Sequence, residues 1–272
     1  MTELTHPVEL QYTGEGFAER IIAAARAAGI ETLSPAALAP ADEFHTGGIH
    51  ATRELAALAS FAPGARVLDI GSGLGGPART LAAEFGCDVT GIDITAEFVR
   101  SARVLTEACG LSETVRFVEG DALNLPFPGD SFDAAWTQHV VMNIKDRATL
   151  YAGIARVLTR GGMFAFFDIL QGPNGVPLDY PLPWARDPSI SFLYSQDETR
   201  AFLENAGFEV LTWNDVSATR LPVLGGQAMA QSGSGLNLQI VLGDDMGTRI
   251  GNVAKATANG RLACVQAVLR KR

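Results

Sequence analysis

The chain has 272 residues, 47% of them apolar and 19% charged, with a formal net charge of −9. That length buries a full core, and the expectation is one α/β domain with insertions. The apolar share excludes a disordered chain, and the acidic balance excludes nucleic acid as the substrate.

Cys87, Cys109 and Cys264 are widely spaced and form no metal-ligand grouping, so reduced thiols and no metal are expected. The opening MTELTHPVELQ lacks the basic start and apolar core of a signal peptide. No later window holds about 18 uninterrupted apolar residues, so a cytoplasmic protein without a membrane anchor is expected.

Residues 15 to 60 read as helical, with Ile21, Ile22 and Ala25 spaced for one face and a second helix from about Gly48 to Ser60. Residues 1–60 thus form an N-terminal helical cap on a ligand-binding domain at 61–272. From Ala65 the pattern alternates. The apolar run ARVLDI leads into the helix PARTLAAEFG, DVTGIDI into AEFVRSARVLTEACG, and TVRFVEGD and SFDAAWTQ into DRATLYAGIARVL, the turn TRGG and MFAFFDIL. Short strands separated by helices require a parallel sheet covered on both faces.

The Pro- and Gly-rich stretch after Leu170 reads as a loop over the strand ends, so 171–194 is expected to form a lid. Ser195 to Ala206 reads as a helix capped by Ser195 and closed at Gly207, followed by the strand FEVLTWNDVS. A mostly helical insertion, 222–258, precedes the last strand, RLACVQAVLRK, and is expected to form a second lid segment.

The first strand-to-helix turn reads Asp69-Ile-Gly71-Ser-Gly73-Leu-Gly75-Gly76. Gly71, Gly73 and Gly76 satisfy the dinucleotide pattern G-x-G-x-x-G, so an NAD-dependent oxidoreductase stands beside any other reading. Asp69 discriminates. A carboxylate at this strand end repels a pyrophosphate and attracts a cation, and S-adenosylmethionine carries both an ammonium and a sulfonium. Asp93, which ends the second strand, suits two ribose hydroxyls under either reading. Asp121 and Ala122 follow the third strand, where a carboxylate can accept from an adenine amino group.

These residues stand within a series of ordered motifs: DEFHTGGIHAT, VLDIGSGLGGPAR, VTGIDIT, FVEGDALNLPF, FDAAWTQHVVMNI and RVLTRGGMFAFFDIL. Over nearly its whole length the chain resembles the class I methyltransferases of the sarcosine/dimethylglycine and phosphoethanolamine group, relatives of the ubiquinone/menaquinone-biosynthesis enzymes. The resemblance implies a Rossmann-like seven-stranded sheet whose last strand is antiparallel, the place taken by RLACVQAVLRK. It implies S-adenosyl-L-methionine as cofactor, with Gly71 and Gly73 along its methionine part and Asp69 nearby. Asp93 and Ile94 would lie at its ribose, Asp121 and Ala122 at its adenine, and His45, Thr46 and Gln138 around it. The phosphoethanolamine enzymes carry Arg-Asp after the fourth strand and a His four positions beyond that Asp. This chain has Gln138-His139 and then Asn143 instead.

Methyl transfer from a sulfonium is an in-line displacement in which alignment and exclusion of water supply much of the rate. An amine acceptor must lose a proton, and His139, just after a strand end, is the candidate base. Asn143 and Tyr12 are the other candidate catalytic residues. Trp184 and Tyr194, among the aromatics of the suspected lid, are candidates for the acceptor pocket. The expected reaction is methylation of a small molecule, with an amine nitrogen ahead of oxygen or carbon in an apolar, quinone- or prenyl-type acceptor. A cofactor-binding protein without catalysis is the third reading, and the assembly is expected to be a monomer or homodimer.

Overall fold

The computed structural model describes residues 14–175, 177–221 and 235–272. Tyr12 and the first part of the 222–258 insertion lie outside the described residues.

Three helices precede the sheet where two were expected: α1 (Phe17–Ala27), α2 (Pro35–Asp42) and α3 (Gly48–Ala59). The unexpected one is α2. Ser34 caps it by accepting from the Ala37 amide at 3.3 Å, and Pro35 fits the first turn, where no amide is needed. α1 packs on α5 (Ala96–Ala108) through Phe17, Ala18 and Ile21, all buried, with Phe17 edge-on to Phe98 at 5.4 Å.

The strands are β1 (Arg66–Ile70), β2 (Asp88–Asp93), β3 (Val115–Glu119), β4 (Phe132–Gln138), β5 (Leu158–Gln171), β6 (Phe208–Asp215) and β7 (Leu262–Lys271). They form one seven-stranded sheet in the order β3-β2-β1-β4-β5-β7-β6. β1 to β5 are parallel, while β7 runs antiparallel between β5 and β6. This is the Rossmann-like sheet with an antiparallel last strand. The TRGG turn lies inside β5. Phe132 pairs with Leu158 and Ala134 with Met163, so β5 bulges and Gly161 takes φ 76°.

α4 (Gly76–Phe85) and α3 cover one face of the sheet; α6 (Arg147–Val157) and α7 (Gln196–Asn205) cover the other. Val67, Leu68, Ile70, Val89 and Phe164 are fully buried between these layers, which is why these strands read as continuous apolar runs. α7 opens with a reciprocal capping box between Ser195 and Glu198. Because β1 to β4 are parallel, the turns after Ile70, Asp93, Glu119 and Gln138 all emerge at one edge. The loop after β5 and the helix Met246–Ala258 close over that edge, with the Arg249 guanidinium donating to the Leu182 carbonyl at 3.1 Å and Asn252 to Pro181 at 2.9 Å.

Candidate cofactor and acceptor site

A cavity of about 420 Å³ opens at this edge, within the range of small-molecule sites. Its floor is the turn after β1. Gly71, at φ 71°, adopts a conformation that costs a side-chain-bearing residue about 1 kcal/mol. The Gly71 and Ser72 amides donate to the Ile92 carbonyl at 2.8 and 3.1 Å, and the Gly73 amide donates to Asp93 at 2.8 Å. The other Asp93 oxygen accepts from the Thr95 amide at 2.8 Å.

Two features of this turn oppose a pyrophosphate. The Gly73 amide is already taken by a carboxylate. A Cβ at Gly76 would stand 2.6 Å from the Asp42 carbonyl oxygen, so the N-terminus of α4 is covered by the end of α2. Asp42 and Asp93 line this part of the cavity. Asp69 lies behind the turn and outside the cavity lining, 2% exposed, and one of its oxygens has no partner among the described residues. Burial, then Glu43, then Asp93 push its pKa up to about 8. A buried orphan carboxylate beside two others fits a cationic ligand, as the adenosylmethionine reading requires. Ile94, Asp121 and Ala122 line the same cavity beyond Asp93, and Asp121 orders its loop by accepting from the Leu123 amide at 2.8 Å.

Under the cap loop lies a second cluster. The Nε2 of His45 is 2.5 Å from Glu43, and the Thr52 hydroxyl lies 2.8 Å from that same Glu43 oxygen. Thr52 is also 3.1 Å from the Gln138 carbonyl oxygen, which accepts from the Trp136 indole at 3.0 Å. The unpartnered buried atoms here are His45 Nδ1 and Gln138 Nε2, and both residues line the cavity. Thr46 is fully buried behind the wall, 3.4 Å from His139 Nε2. Glu43 and Thr52 were not singled out from the sequence, although both sit in DEFHTGGIHAT, with Glu43 two residues before His45.

His139 lines the cavity from the turn after β4, at φ 53°, with its ring 4.9 Å from Phe167 and 6.0 Å from His45. Burial and the neighbouring His45 hold its pKa well below the ordinary histidine value. The buried Asp168 fixes this turn by accepting from the Val140 and Val141 amides at 2.9 and 3.2 Å. Burial pushes the Asp168 pKa up to about 7.

On the lid side, Trp184 lines the cavity with Met142, Ile144, Pro183, Ile190 and Phe192. Tyr194 does not. Its hydroxyl donates to the Lys145 carbonyl at 3.0 Å and its ring packs edge-on against Phe202, so it anchors the lid to the domain. Asn143 lines the cavity, but its amide nitrogen donates to the carbonyls of Trp184 and Ile190 at 2.8 and 2.7 Å. Asn143 thus clamps the loop after β5 to the turn after β4. Asn143→Ala should lower stability by about 1–2 kcal/mol and speed amide exchange across residues 182–192, read by hydrogen-exchange mass spectrometry. Unchanged exchange there would contradict the clamp. Among the described residues no cluster of histidines, cysteines and carboxylates has a metal-binding arrangement, and no helix is long and apolar enough to cross a membrane.

Comparison with known proteins bears on the same residues. A family profile described as "Methyltransferase domain" matches residues 68–166. A sterol 24-C-methyltransferase of Gibberella zeae is 34% identical over 166 residues, covering 58% of this chain and 43% of that protein. The chain thus spans less than half the length of that relative. Methyltransferase GfsG of Streptomyces halstedii is 31% identical over 207 residues, covering 70% of this chain and 74% of that protein. Among solved structures, the [4+2]-cyclase SpnF superposes with a TM-score of 0.66 at 25% identity, covering 82% of this chain and 80% of the other.

Proposed function

Because this chain belongs to the methyltransferase family, we propose that it binds S-adenosyl-L-methionine and methylates a small apolar acceptor at oxygen or carbon. The observation that carries the cofactor half is the turn after β1, where Asp93 occupies the Gly73 amide and the buried Asp69 behind it keeps an orphaned oxygen. In this reading Asp93 holds the ribose, Ile94, Asp121 and Ala122 flank the adenine, and Gly71 and Gly73 run along the methionine part. Bound there, the cofactor supplies an electrophilic methyl group on a sulfonium that leaves as a neutral thioether.

The acceptor half is carried by the lining of the lid side. Met142, Ile144, Pro183, Trp184, Ile190 and Phe192 exclude water and offer an apolar body a matching surface. Among the described residues that line the cavity on this side the carboxylate is Asp146. It caps α6, accepting from the Thr149 amide at 3.0 Å and the Thr149 hydroxyl at 2.7 Å, and its neighbour is Lys145. A protonated amine would find no dedicated counter-charge there, which favours oxygen or carbon over the nitrogen that the sequence placed first. The sterol and GfsG relatives are named for C-methylation and for methyl transfer, respectively, and support an enzyme of this class.

Because the fold also serves a cyclase, turnover is the deciding measurement. Calorimetry should show S-adenosylhomocysteine binding and no heat with NAD. Asp93→Asn should weaken that binding by about 100-fold, the loss of roughly two charge-assisted hydrogen bonds. Incubation with S-adenosylmethionine and a panel of apolar alcohols, phenols, alkenes and amines should release S-adenosylhomocysteine with the oxygen or carbon acceptors. Binding of NAD alone, or methyl transfer confined to amines, would overturn this reading.

A further inference from the structure

We infer that the buried Glu43–His45 pair, rather than His139, is the proton acceptor of this site and that the acceptor it serves carries a hydroxyl. The inference rests on the proposed methyl transfer and names its substrate class.

The argument begins with tautomers. His45 Nε2 stands 2.5 Å from a Glu43 oxygen, and a carboxylate accepts, so the ring proton sits on Nε2. Nδ1 is then the basic lone pair. It is buried without a protein partner, on a residue that lines the cavity. This is the arrangement in which a carboxylate orients an imidazole and stabilises the imidazolium that forms on its far side. Glu43 is itself held in place by the Thr52 hydroxyl at 2.8 Å and the Thr80 hydroxyl at 3.4 Å.

His139 lacks such a partner. Its Nε2 lies 3.4 Å from the Thr46 hydroxyl, no carboxylate among the described residues hydrogen-bonds its ring, and the nearby imidazole of His45 disfavours a second positive charge. Of the two rings, His45 is the one with a carboxylate on its far nitrogen, ready to stabilise an imidazolium. The charged groups facing this pair are Glu43 and Asp42 from the end of the cap, Asp69 and Asp93 from the turns after β1 and β2, Arg53 on α3, and Arg79 on α4. Arg79 is paired with Asp42 and Arg53 with Glu84, which leaves Glu43 to His45.

A hydroxyl is the acceptor that needs this device. Its oxygen attacks the methyl carbon, the sulfur–carbon bond breaks with its electron pair left on sulfur, and the O–H proton passes to His45 Nδ1. The imidazolium–carboxylate pair later releases that proton to solvent. The buried Gln138 Nε2, a donor without a partner, stands on the same cavity wall to orient the attacking oxygen.

The first test needs no substrate. The chain has four histidines, so nitrogen NMR of the full-length protein can be assigned with single His→Gln variants. His45 should appear as the Nε2–H tautomer with a strongly deshielded Nε2 proton, lost in Glu43→Gln, and should protonate at a higher pH than His139. An Nδ1–H tautomer, or a His139 that protonates first, overturns the proposal. The second test uses whichever acceptor the wild type methylates. The product should be a methyl ether. His45→Gln should lower kcat by at least 100-fold and abolish the acidic limb of its pH profile in a protein that still binds S-adenosylhomocysteine. Glu43→Gln should shift that limb, and His139→Gln should keep it. A limb that survives in His45→Gln, or a product methylated at carbon or nitrogen, overturns the proposal. Absence of S-adenosylhomocysteine binding by the wild type would instead refute the cofactor reading, leaving the tautomer result to stand by itself.

Discussion

Replacing Asp69 with asparagine should weaken S-adenosylmethionine binding far more at pH 8 than at pH 6. In the ligand-free protein the Asp69 carboxyl, pushed up to about 8 by burial and by Glu43 and Asp93, is largely protonated near pH 6. A cationic ligand favours the ionised form, so binding expels the proton, and affinity rises with pH until the group is ionised without help. The ratio of wild-type to Asp69→Asn affinity should therefore grow by at least tenfold between pH 6 and pH 8, as each pK unit of coupling is a factor of ten. Calorimetry in two buffers of different ionisation enthalpy should detect the released proton in the wild type and not in the variant.

The same group sets the sign of a stability effect. The folded ligand-free protein keeps a proton on Asp69 that the unfolded chain, with an ordinary value of 3.8, has lost. Stability therefore falls as pH rises from about 4 to about 8, and Asp69→Asn should flatten that fall. A pH-independent affinity ratio would show that Asp69 does not sense the ligand.

The second large effect concerns the joint between cap and domain. Arg79 and Asp42 are both fully buried, 2.5 Å apart, and Arg79 also donates to the Thr106 hydroxyl at 3.0 Å. Burial outweighs even this partner and pushes Asp42 up to about 6. Arg79→Met should cost about 3–5 kcal/mol by leaving a buried carboxylate unpaired, whereas Arg79→Met with Asp42→Asn should recover most of that loss. Because an unpaired Asp42 holds its proton to still higher pH, the deficit of the single variant should widen as pH rises from 5 to 8. Chemical denaturation across that range checks the claim, and equal losses in the single and double variants would refute it.

The sheet was legible because its central strands are buried on both faces and end in glycine or a carboxylate, as ARVLDI and DVTGIDI do. The α7 boundary was equally plain, since Ser195 and Glu198 form the capping box that their spacing permits. α2 escaped notice because Pro35 and Pro40 read as breakers, yet Pro35 sits where the helix has a spare amide. Within the site, the residues at strand ends were readable because parallel topology brings such ends together. Those whose role depends on a partner distant in sequence were not. Tyr194 reads as a pocket aromatic, but its hydroxyl finds the Lys145 carbonyl. Asn143 reads as a polar site group, but two lid carbonyls occupy its amide. Glu43 attracted no attention because nothing in one dimension shows that Thr52 and Thr80 will trap it beside His45.

A Cβ placed on Gly71 would lie 2.5 Å from both methyl carbons of Val140, the residue next to His139. The turn after β1 and the turn after β4 are therefore interlocked, each a mould for the other. Tightening one turn should stiffen the other, and whatever factor the cofactor then contributes to acceptor affinity the acceptor contributes to cofactor affinity. Engineering a roomier acceptor chamber by trimming Val140 would, by the same geometry, loosen the grip on the nucleoside.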